Sequence, residues 1–219
     1  MLFYVSFIPK NKNMASIYLY PVWVRLWHTV NAILYIILII TGLSLQYSSP
    51  EYTVIRFDKA VTWHNVAGIL LTINYLLIFF GNLFTRNGMY YRMRRRWLVK
   101  EIPAQMKYYL FGIFRGEKAP FPINSRRKFN PLQKVSYFTV LYFLMPLVFI
   151  TGWALIFPNV LFVDKIFGTS SLHFTDLVHI IVAFILSIFM IVHIYLCTIG
   201  KPAGSHFKAM LSGWHHSDH

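Results

Sequence analysis

Four of the nine histidines lie inside long apolar stretches of the chain, where an ionisable side chain is costly and marks a functional site by default. They are His28, His64, His179 and His193. Because His179 and His193 are fourteen residues apart, one helix would point both in nearly the same direction, at depths separated by about 21 Å. Neutral imidazoles in such positions can ligate a metal, carry protons or hold helices together by hydrogen bonds.

The stretches that carry these histidines are long enough to be membrane helices. Four of them contain no Asp, Glu, Lys or Arg, and each exceeds the roughly 20 residues that a helix needs to cross a bilayer: 26–50, 60–85, 135–163 and 177–200. Since backbone polar groups in lipid must be satisfied within the helix, we predict spans at about 23–46, 61–84, 133–157 and 175–198. The composition is 57% hydrophobic and 13% charged, which excludes a disordered chain and argues against a soluble domain.

The basic residues lie almost entirely on one side of these spans. Of the 21 Lys and Arg, all but Arg56, Lys59 and Lys165 lie near the two termini or in the segment between spans two and three. The positive-inside rule therefore predicts a multi-pass protein of the bacterial cytoplasmic (inner) membrane, with both termini and the basic loop 85–132 in the cytoplasm. Basic loops account for the net charge of +14, so no nucleic-acid partner is expected. The tail after the fourth span is expected to be solvated.

The alternating direction of the spans sorts the four histidines into two pairs. His28 lies near the start of the first span and His193 near the end of the fourth, so both lie towards the cytoplasm, and we call them the inner pair. His64 and His179 each lie about four residues from the other end of their spans, and we call them the outer pair. Three helices therefore supply two facing imidazole pairs, one above the other.

Haem is the cofactor that two facing neutral imidazoles suit best. An iron whose other four ligands come from a porphyrin takes one imidazole on each face. Zinc would require three or four protein ligands at one depth, and a proton relay would require carboxylates, which the four stretches lack. We predict an all-α, integral membrane four-helix bundle with two haem b groups in its core, a single cytochrome b domain over 1–219. Histidines that serve packing alone are the alternative.

Residues near the pairs are candidates for accommodating the haems. Gly42 and Gly68 lie at the depth of the outer pair, where they would leave room for a porphyrin or serve helix packing alone. Arg25, one turn before the first inner histidine, is a candidate for the inner propionates, and Arg56 and Lys59 for the outer ones. The alternative is that these cations are ordinary interfacial charges.

The basic loop carries a helical pattern of its own. A cluster of arginines precedes apolar residues at near-helical spacing, which predicts a helix in the membrane interface, weakened or kinked by Pro103. The cluster is Arg92 and Arg94–Arg96, and the apolar stripe is Trp97, Ile102, Met106, Leu110 and Ile113. A loop that only sets the topology is the alternative.

The motifs around the histidines resemble those of a known family, the membrane cytochrome b subunits of formate dehydrogenases, thiosulfate reductases and nickel–iron hydrogenases. The resemblance covers about 20–200 and is closest to the thiosulfate reductase and formate dehydrogenase type. It rests on Arg25-Leu26-Trp27-His28, Ile40-Thr41-Gly42 with its repeat Ile150-Thr151-Gly152, Trp63-His64, the two histidines spaced by fourteen, and Phe129-Asn130-Pro131-Leu132-Gln133-Lys134.

The resemblance implies two b haems held by the four histidines. It also implies a site for a quinone, either menaquinone or ubiquinone, on the cytoplasmic side beside the inner haem, with Asn130 and His193 at that site. From the residues alone, Asn130 equally suits an N-cap of the third span, because Pro131 follows at a favourable first helical position.

These features predict a subunit that passes electrons between an extracytoplasmic redox partner and the quinone pool of a respiratory chain. The partner would be a molybdopterin and iron–sulfur enzyme, a hydrogenase or a multihaem cytochrome c. Quinone oxidation or reduction would be the subunit's only chemistry, because the partner would carry any substrate catalysis. An iron–sulfur cluster would also belong to the partner, since the single cysteine of this chain, Cys197, cannot hold one. Two alternatives remain open: a stand-alone di-haem quinone oxidoreductase such as a superoxide oxidase, and a non-redox membrane transporter or scaffold.

Overall fold

Long helices dominate the computed structural model, which describes residues 14–49, 51–92, 97–122, 124, 127–160, 164–198 and 204–218. In chain order the α-helices are α1 (Val22–Gln46), α2 (Phe57–Phe84), α3 (Ile102–Lys107), α4 (Pro131–Thr139), α5 (Met145–Ile156), α6 (Ser171–Thr198) and α7 (Ser205–Ser212). Four spans in the described residues are long and apolar enough to cross a membrane: α1, α2, α4 joined to α5, and α6. The prediction of a helical membrane bundle with four spans is confirmed.

The observed spans begin earlier than the predicted ones. Helices α2 and α6 each start four residues sooner, which brings Asp58 into the first turn of α2 and puts Asp176 in the second turn of α6. A carboxylate in the first turn, as at Asp58, is favourable because the N-terminus of a helix carries a partial positive charge. Both carboxylates lie at helix ends, so the apolar parts of the spans remain uncharged.

The third span is one continuous helix with a widened turn. A π-helical segment, Val140–Leu144, joins α4 to α5 just before Pro146. Proline has no N–H to donate to the carbonyl four residues earlier and its ring crowds that carbonyl. A local π-helical turn accommodates the proline while the helix continues across the span.

The four spans enclose one apolar core. Helix α1 packs along α2, α5 packs along α6, and α2 contacts α5. Every span contributes buried core members, including Leu34, Leu71, Ile78, Leu141, Met145, Val182 and Leu186. Outward-facing apolar side chains such as Ile33, Leu77, Ile150 and Phe184 are more than half exposed, as expected for helices that face lipid.

Both described ends of the chain meet at one end of the bundle, which we call the loop end because the basic loop also lies there. Strand β1 (Met14–Tyr18) pairs antiparallel with a strand near the C-terminus, Trp214–Asp218, so that Tyr18 lies opposite Trp214. Helix α7 precedes that strand, and its Ala209 is buried. The expectation of a solvated tail is therefore wrong: backbone pairing with β1 holds the tail against the bundle.

The opposite end, which we call the hairpin end, is formed in the described residues by 47–49, 51–56, 157–160 and 164–170. The short strands β2 (Lys165–Ile166) and β3 (Thr169–Ser170) pair there in a hairpin. The strand Trp214–Asp218 at the loop end is β4. The turn of this hairpin is Phe167-Gly168, with φ of 50° and 80°. Both residues have positive φ, as a two-residue hairpin turn of type I′ requires.

The helix predicted in the basic loop is present, with irregular windings, while its place in the membrane interface stays a prediction. A π-helical turn (Trp97–Glu101) leads into α3, and a second one (Tyr108–Gly112) follows it. Its exposed apolar side chains are Val99, Met106, Leu110, Phe111 and Phe114, while Gln105 is buried. The exposed apolar face suits a helix that rests on the interface. Of the arginine cluster, Arg94–Arg96 lie outside the described residues.

A lysine is buried where the basic loop meets the start of α1. Lys128 is only 2% exposed, and its Nζ donates to Asn87 Oδ1 at 3.3 Å. The same Nζ lies 4.4 Å from the ring centre of Tyr20 and 5.4 Å from that of Tyr90, so aromatic faces compensate part of its charge. Burial lowers the pKa of Lys128 from its ordinary value of 10.5 to about 8.

The burial of Lys128 predicts a rise of stability with pH. Between pH 8 and 10.5 the folded protein has released the proton while an unfolded chain still holds it, so the free energy of unfolding increases through this window. We expect a gain on the order of 1–3 kcal/mol across it. Thermal unfolding in detergent should show this rise, and Lys128→Met should abolish it. Lys100→Met, on an exposed lysine of the same loop, should retain it; a Lys128→Met protein with the same pH slope would contradict the prediction.

Candidate functional site

The outer pair brings two helices together near the hairpin end. His64 lies on α2, two turns from its start, and His179 lies on α6, also about two turns from its start. Their ring centres are 6.3 Å apart and their planes are inclined by 73°. Helices α2 and α6 run in the same sequence direction from the hairpin end, which is why their early residues meet at one depth.

The inner pair lies near the loop end, on α1 and α6. The ring centres of His28 and His193 are 6.2 Å apart and the planes are inclined by 57°. Helix α6 thus supplies one histidine to each pair, as their spacing of fourteen residues requires. The structure brings together the two pairs that the sequence predicted; iron ligation by them stays a prediction.

The separation within each pair fits one metal ion between two imidazoles. A metal–imidazole bond is about 2.0 Å long and the nitrogen lies about 1.1 Å from its ring centre, so rings on opposite sides of one metal have centres about 6.2 Å apart. The observed 6.2 and 6.3 Å agree with this value. In the described residues no group of three or more metal-ligating side chains converges.

A threonine of α1 orients His64. The hydroxyl of Thr41 lies 2.9 Å from His64 Nδ1 and also 2.7 Å from the carbonyl oxygen of Ile37. A hydroxyl has one proton, and a carbonyl oxygen can only accept, so Thr41 donates to Ile37 and accepts from the ring. We therefore assign the proton of His64 to Nδ1, which leaves the Nε2 lone pair free for a metal.

A threonine of α5 orients His179 in the same way. The Thr151 hydroxyl lies 3.0 Å from His179 Nδ1 and donates to the carbonyl oxygen of Leu147, 2.9 Å away. The next residue on each helix is a glycine, and a Cβ there would lie 3.4 Å from His64 Cε1 at Gly42 and 3.2 Å from His179 Cε1 at Gly152. The repeated Ile-Thr-Gly motif therefore serves the two outer histidines directly, a contact that the sequence interpretation did not foresee.

The inner pair has a different set of neighbours. The Tyr137 hydroxyl lies 3.3 Å from His193 Nδ1, and the Phe189 ring stacks on His193 with planes inclined by 15°. On α1, Trp27 Nε1 donates to the carbonyl oxygen of Asn74 at 2.9 Å, and Asn74 Nδ2 donates back to the carbonyl oxygen of Trp27 at 3.3 Å. This reciprocal contact between α1 and α2 fixes the helix turn that carries His28.

Comparison with known proteins identifies the family. The sequence profile described as "Prokaryotic cytochrome b561" matches residues 19–213, which include both histidine pairs. The chain belongs to this family. It is therefore a multi-pass bacterial membrane cytochrome that carries b-type haem and takes part in electron transfer.

Relatives of this cytochrome carry similar names. It is 38% identical over 200 residues to "Putative cytochrome YdhU" of Escherichia coli (strain K12), an alignment that covers 91% of this chain and 75% of that protein. It is 26% identical over 229 residues to a "Probable Ni/Fe-hydrogenase B-type cytochrome subunit" of Azotobacter vinelandii, covering 94% and 90%. A protein of the same name from Rhodobacter capsulatus is 27% identical over 159 residues, covering 66% and 56%. No solved structure matches the chain.

These matches confirm the resemblance that the motifs indicated at the level of the family, including subunits named for nickel–iron hydrogenase. The closer likeness to the thiosulfate reductase and formate dehydrogenase type stays a prediction.

One of the candidate propionate partners, Arg25, lies near the inner pair, and its contact with a haem propionate stays a prediction. Arg25 lies one turn before His28, and its Nη1 donates to the carbonyl oxygen of Leu211 at 2.8 Å. Its Nε is buried and has no partner among the described residues, so an N–H remains for an anionic group. Arg56 is exposed and pairs with Asp58 at 3.2 Å, and Lys59 is exposed as well. Neither of these cations is held towards the outer pair by a described contact. Gly68 leaves space beside that pair, because a Cβ added at this position would have no atom within 4 Å.

Asn130 is the N-cap of α4. Its Oδ1 accepts from the Gln133 backbone N–H at 2.9 Å, and Gln133 Oε1 accepts from the Asn130 backbone N–H at 3.1 Å, which is a complete capping box. Its Nδ2 also donates to the Tyr109 hydroxyl at 2.9 Å. Of the two roles left open by the sequence, the structure shows the cap, while a contact with quinone stays a prediction.

A cavity that the sequence interpretation did not foresee lies beside Asn130. Its volume is about 370 Å³, and its lining is Tyr90, Glu101, Asn124, Arg127, Lys128, Phe129, Pro131 and Lys134. Two of the lining residues form an ion pair, in which Arg127 Nη2 lies 3.6 Å from Glu101 Oε2. Phe129 and Pro131 flank Asn130 in the chain, so the cavity adjoins the segment that the resemblance connects with quinone.

Proposed function

We propose that this cytochrome is a di-haem b membrane anchor and electron-transfer subunit, which carries electrons between an extracytoplasmic redox partner and the quinone pool of a respiratory complex. The observation that carries the proposal is the stacking of two imidazole pairs along α6, one near each end of the bundle. Haem supplies one-electron redox chemistry when it is bound between such imidazoles. The protein would supply ligands, burial and orientation, and together these would hold a redox group within reach of each membrane face.

The hairpin end would face the partner. The positive-inside rule puts the loop end, with its basic residues, in the cytoplasm and leaves 47–56 and 157–170 outside. The outer pair lies about two turns from this face, since His64 and His179 each follow a helix start closely. Relatives named as hydrogenase cytochrome subunits support an oxidoreductase as the partner. A hydrogenase is the partner class that they favour over a molybdopterin and iron–sulfur enzyme or a multihaem cytochrome c.

Quinone, either menaquinone or ubiquinone, would react near the loop end. A contiguous set of contacts leads there from the inner pair: Tyr137 bonds to His193, and the Phe129 ring lies 4.9 Å from that of Tyr137. Reduction of a quinone to a quinol takes up two electrons and two protons. Glu101 and Lys128, which line the adjoining cavity, are titratable groups through which protons from the cytoplasm would pass.

Purification in mild detergent tests the proposal as a whole. We expect two b haems per chain, co-purification with an extracytoplasmic redox subunit, and reduction or oxidation of the haems by quinone analogues. A lone subunit that is active with quinone and superoxide would instead favour a superoxide oxidase. A colourless protein would favour a transporter or scaffold and overturn the proposal.

The dual position of Asn130 permits a separation of its cap from its proposed contact with quinone. Asn130→Ser retains a good N-cap but removes the amide, whereas Asn130→Ala removes both and should cost about 1 kcal/mol of stability. We expect quinone turnover to fall up to about tenfold in both variants, the effect of one lost hydrogen bond, while both haems remain bound. Gln133→Ala is the matched control, because it breaks the capping box and leaves the amide. Wild-type turnover in Asn130→Ser would assign the residue to capping alone.

A further inference from the structure

We propose that Thr41 and Thr151 are a matched pair of positioning residues that set the redox potential of the outer haem, by accepting the Nδ1 proton of both of its histidines. The inference rests on the proposed ligation of that haem by His64 and His179. It goes beyond that ligation because it assigns a role to residues that do not themselves contact iron.

The two threonines have the same geometry on different helices. Thr41 on α1 lies 2.9 Å from His64 Nδ1, and Thr151 on α5 lies 3.0 Å from His179 Nδ1. Each hydroxyl also donates to the carbonyl oxygen four residues earlier, at 2.7 and 2.9 Å, and reaches the one three residues earlier, at 3.3 and 3.1 Å. Both threonines are buried, at 1% and 7% exposure, so water does not compete for these bonds.

The backbone bond decides which way the ring bond runs. Since each hydroxyl proton is directed to a carbonyl, the oxygen presents a lone pair to the imidazole and can only accept from it. The β-branched side chain holds this geometry, because threonine has few side-chain rotamers in a helix. Each outer histidine is thereby fixed as the Nδ1–H tautomer, with Nε2 directed away from the threonine.

The bond also changes the imidazole as a ligand. When Nδ1–H donates to an acceptor, electron density shifts onto the ring and Nε2 becomes more basic. A more basic ligand stabilises ferric iron more than ferrous iron, so the reduction potential falls. With two such bonds, one on each face, the effect on the outer haem is doubled.

The inner pair lacks this arrangement among the bonds of the described residues. His193 Nδ1 lies 3.3 Å from the Tyr137 hydroxyl, which is a longer contact. In the described residues this hydroxyl donates to no backbone carbonyl, so the direction of its bond with the ring is not fixed in the same way. Substitution of the threonines should therefore change the potential of the outer haem alone, since the threonines contact only the outer histidines. A gradient of potential between the haems would be set by residues that flank the ligands.

Valine substitutions test the inference. Thr41→Val and Thr151→Val retain the branched shape and remove the hydroxyl acceptor, which leaves the rings only the backbone carbonyls of Leu38 and Val148. We expect each variant to raise the midpoint potential of the outer haem, and the double variant to raise it further. The inner haem should keep its potential. Redox titration followed in the visible spectrum measures both values, and electron paramagnetic resonance of the oxidised protein reports the orientation of the imidazole rings.

Serine variants and a remote threonine supply the controls. Thr41→Ser and Thr151→Ser keep the hydroxyl and should restore the wild-type potential. Thr198→Val removes an exposed hydroxyl that donates to the carbonyl three residues earlier on α6 but hydrogen-bonds to no imidazole among the described residues, and should change neither potential. Loss of the outer haem in the valine but not the serine variants would also support the inference, because such supporting bonds typically contribute 10–100-fold in metal affinity.

Two results would overturn it. The first is an unchanged outer potential in the double valine variant with both haems bound, and the second is the same loss or shift in the serine variants. Either result would leave the proposed function intact. A wild-type protein without two bis-imidazole haems would instead remove the proposed function itself, and haem counting before titration distinguishes the cases.

Discussion

Replacement of His64 or His179 by alanine is expected to remove the outer haem and to leave the inner one in place. The haem content should fall from two to one per chain in either variant, because loss of one of the two proposed iron–imidazole bonds weakens binding of a haem that the bundle is built to hold between two histidines. The remaining haem should keep its wild-type potential, since the inner pair lies at the other end of α6. Haem extraction with a reduced-minus-oxidised spectrum measures the haem content, and a redox titration measures the potential of the remaining haem.

His173→Ala is the matched control for this prediction. His173 lies on α6 near the hairpin end, as His179 does, but it is exposed and takes part in neither pair. Both haems should remain in that variant. Added imidazole supplies a second check, because it fits the space left by an alanine and should restore the lost haem. Retention of two haems in His64→Ala or His179→Ala without imidazole would show that the pairing is wrong.

The pairing itself could be predicted from the sequence for a geometric reason. Two side chains fourteen residues apart on a helix point in nearly the same direction, so His179 and His193 lie at two depths on one face of α6. Alternating span direction then assigns His64 to one depth and His28 to the other. These arguments need only the length and order of the spans, which the distribution of charged residues marks clearly.

The threonine contacts could not be predicted in this way. They depend on how α1 is rotated about its axis against α2, and α5 against α6, and the spacing of residues along one helix carries no information on that rotation. The sequence did show Ile-Thr-Gly twice, which indicated equivalent places in the two helix pairs. Only the packed structure shows that Thr41 and Thr151 face the imidazoles.

A similar contrast separates local from distant pairing at the loop end. The cap at Asn130 involves a residue only three positions later, so the order Asn-Pro-Leu-Gln was enough to suggest an N-cap beside the contact with quinone. The sheet of β1 and β4 joins residues about two hundred positions apart and contains no alternating apolar pattern that marks a strand. The tail was therefore expected in solvent, although it packs against the start of α1.

Replacement of His28 or His193 by alanine is expected to remove the inner haem and with it nearly all quinone turnover. The outer haem should remain bound and should still be reduced from the hairpin end, because the outer pair and its threonines are untouched. Electrons would then enter the protein but reach no quinone, since the Phe129 and Tyr137 contacts lead only from the inner pair. Stopped-flow reduction by the partner, compared with steady-state turnover of a quinone analogue, separates the two events.

Two further variants at the loop end make this result specific. His206→Ala changes a histidine of α7 that stacks on His215 outside the pairs, and both haems and turnover should persist. Tyr137→Phe keeps the ring against Phe129 but removes the hydroxyl beside His193 Nδ1, so the inner haem should remain with an altered potential. Normal quinone turnover in a His193→Ala protein that holds only the outer haem would place the quinone site at the other end of the bundle. That outcome would also move proton uptake from the cytoplasmic side to the hairpin end, while the partner would still deliver electrons to the outer haem from that end.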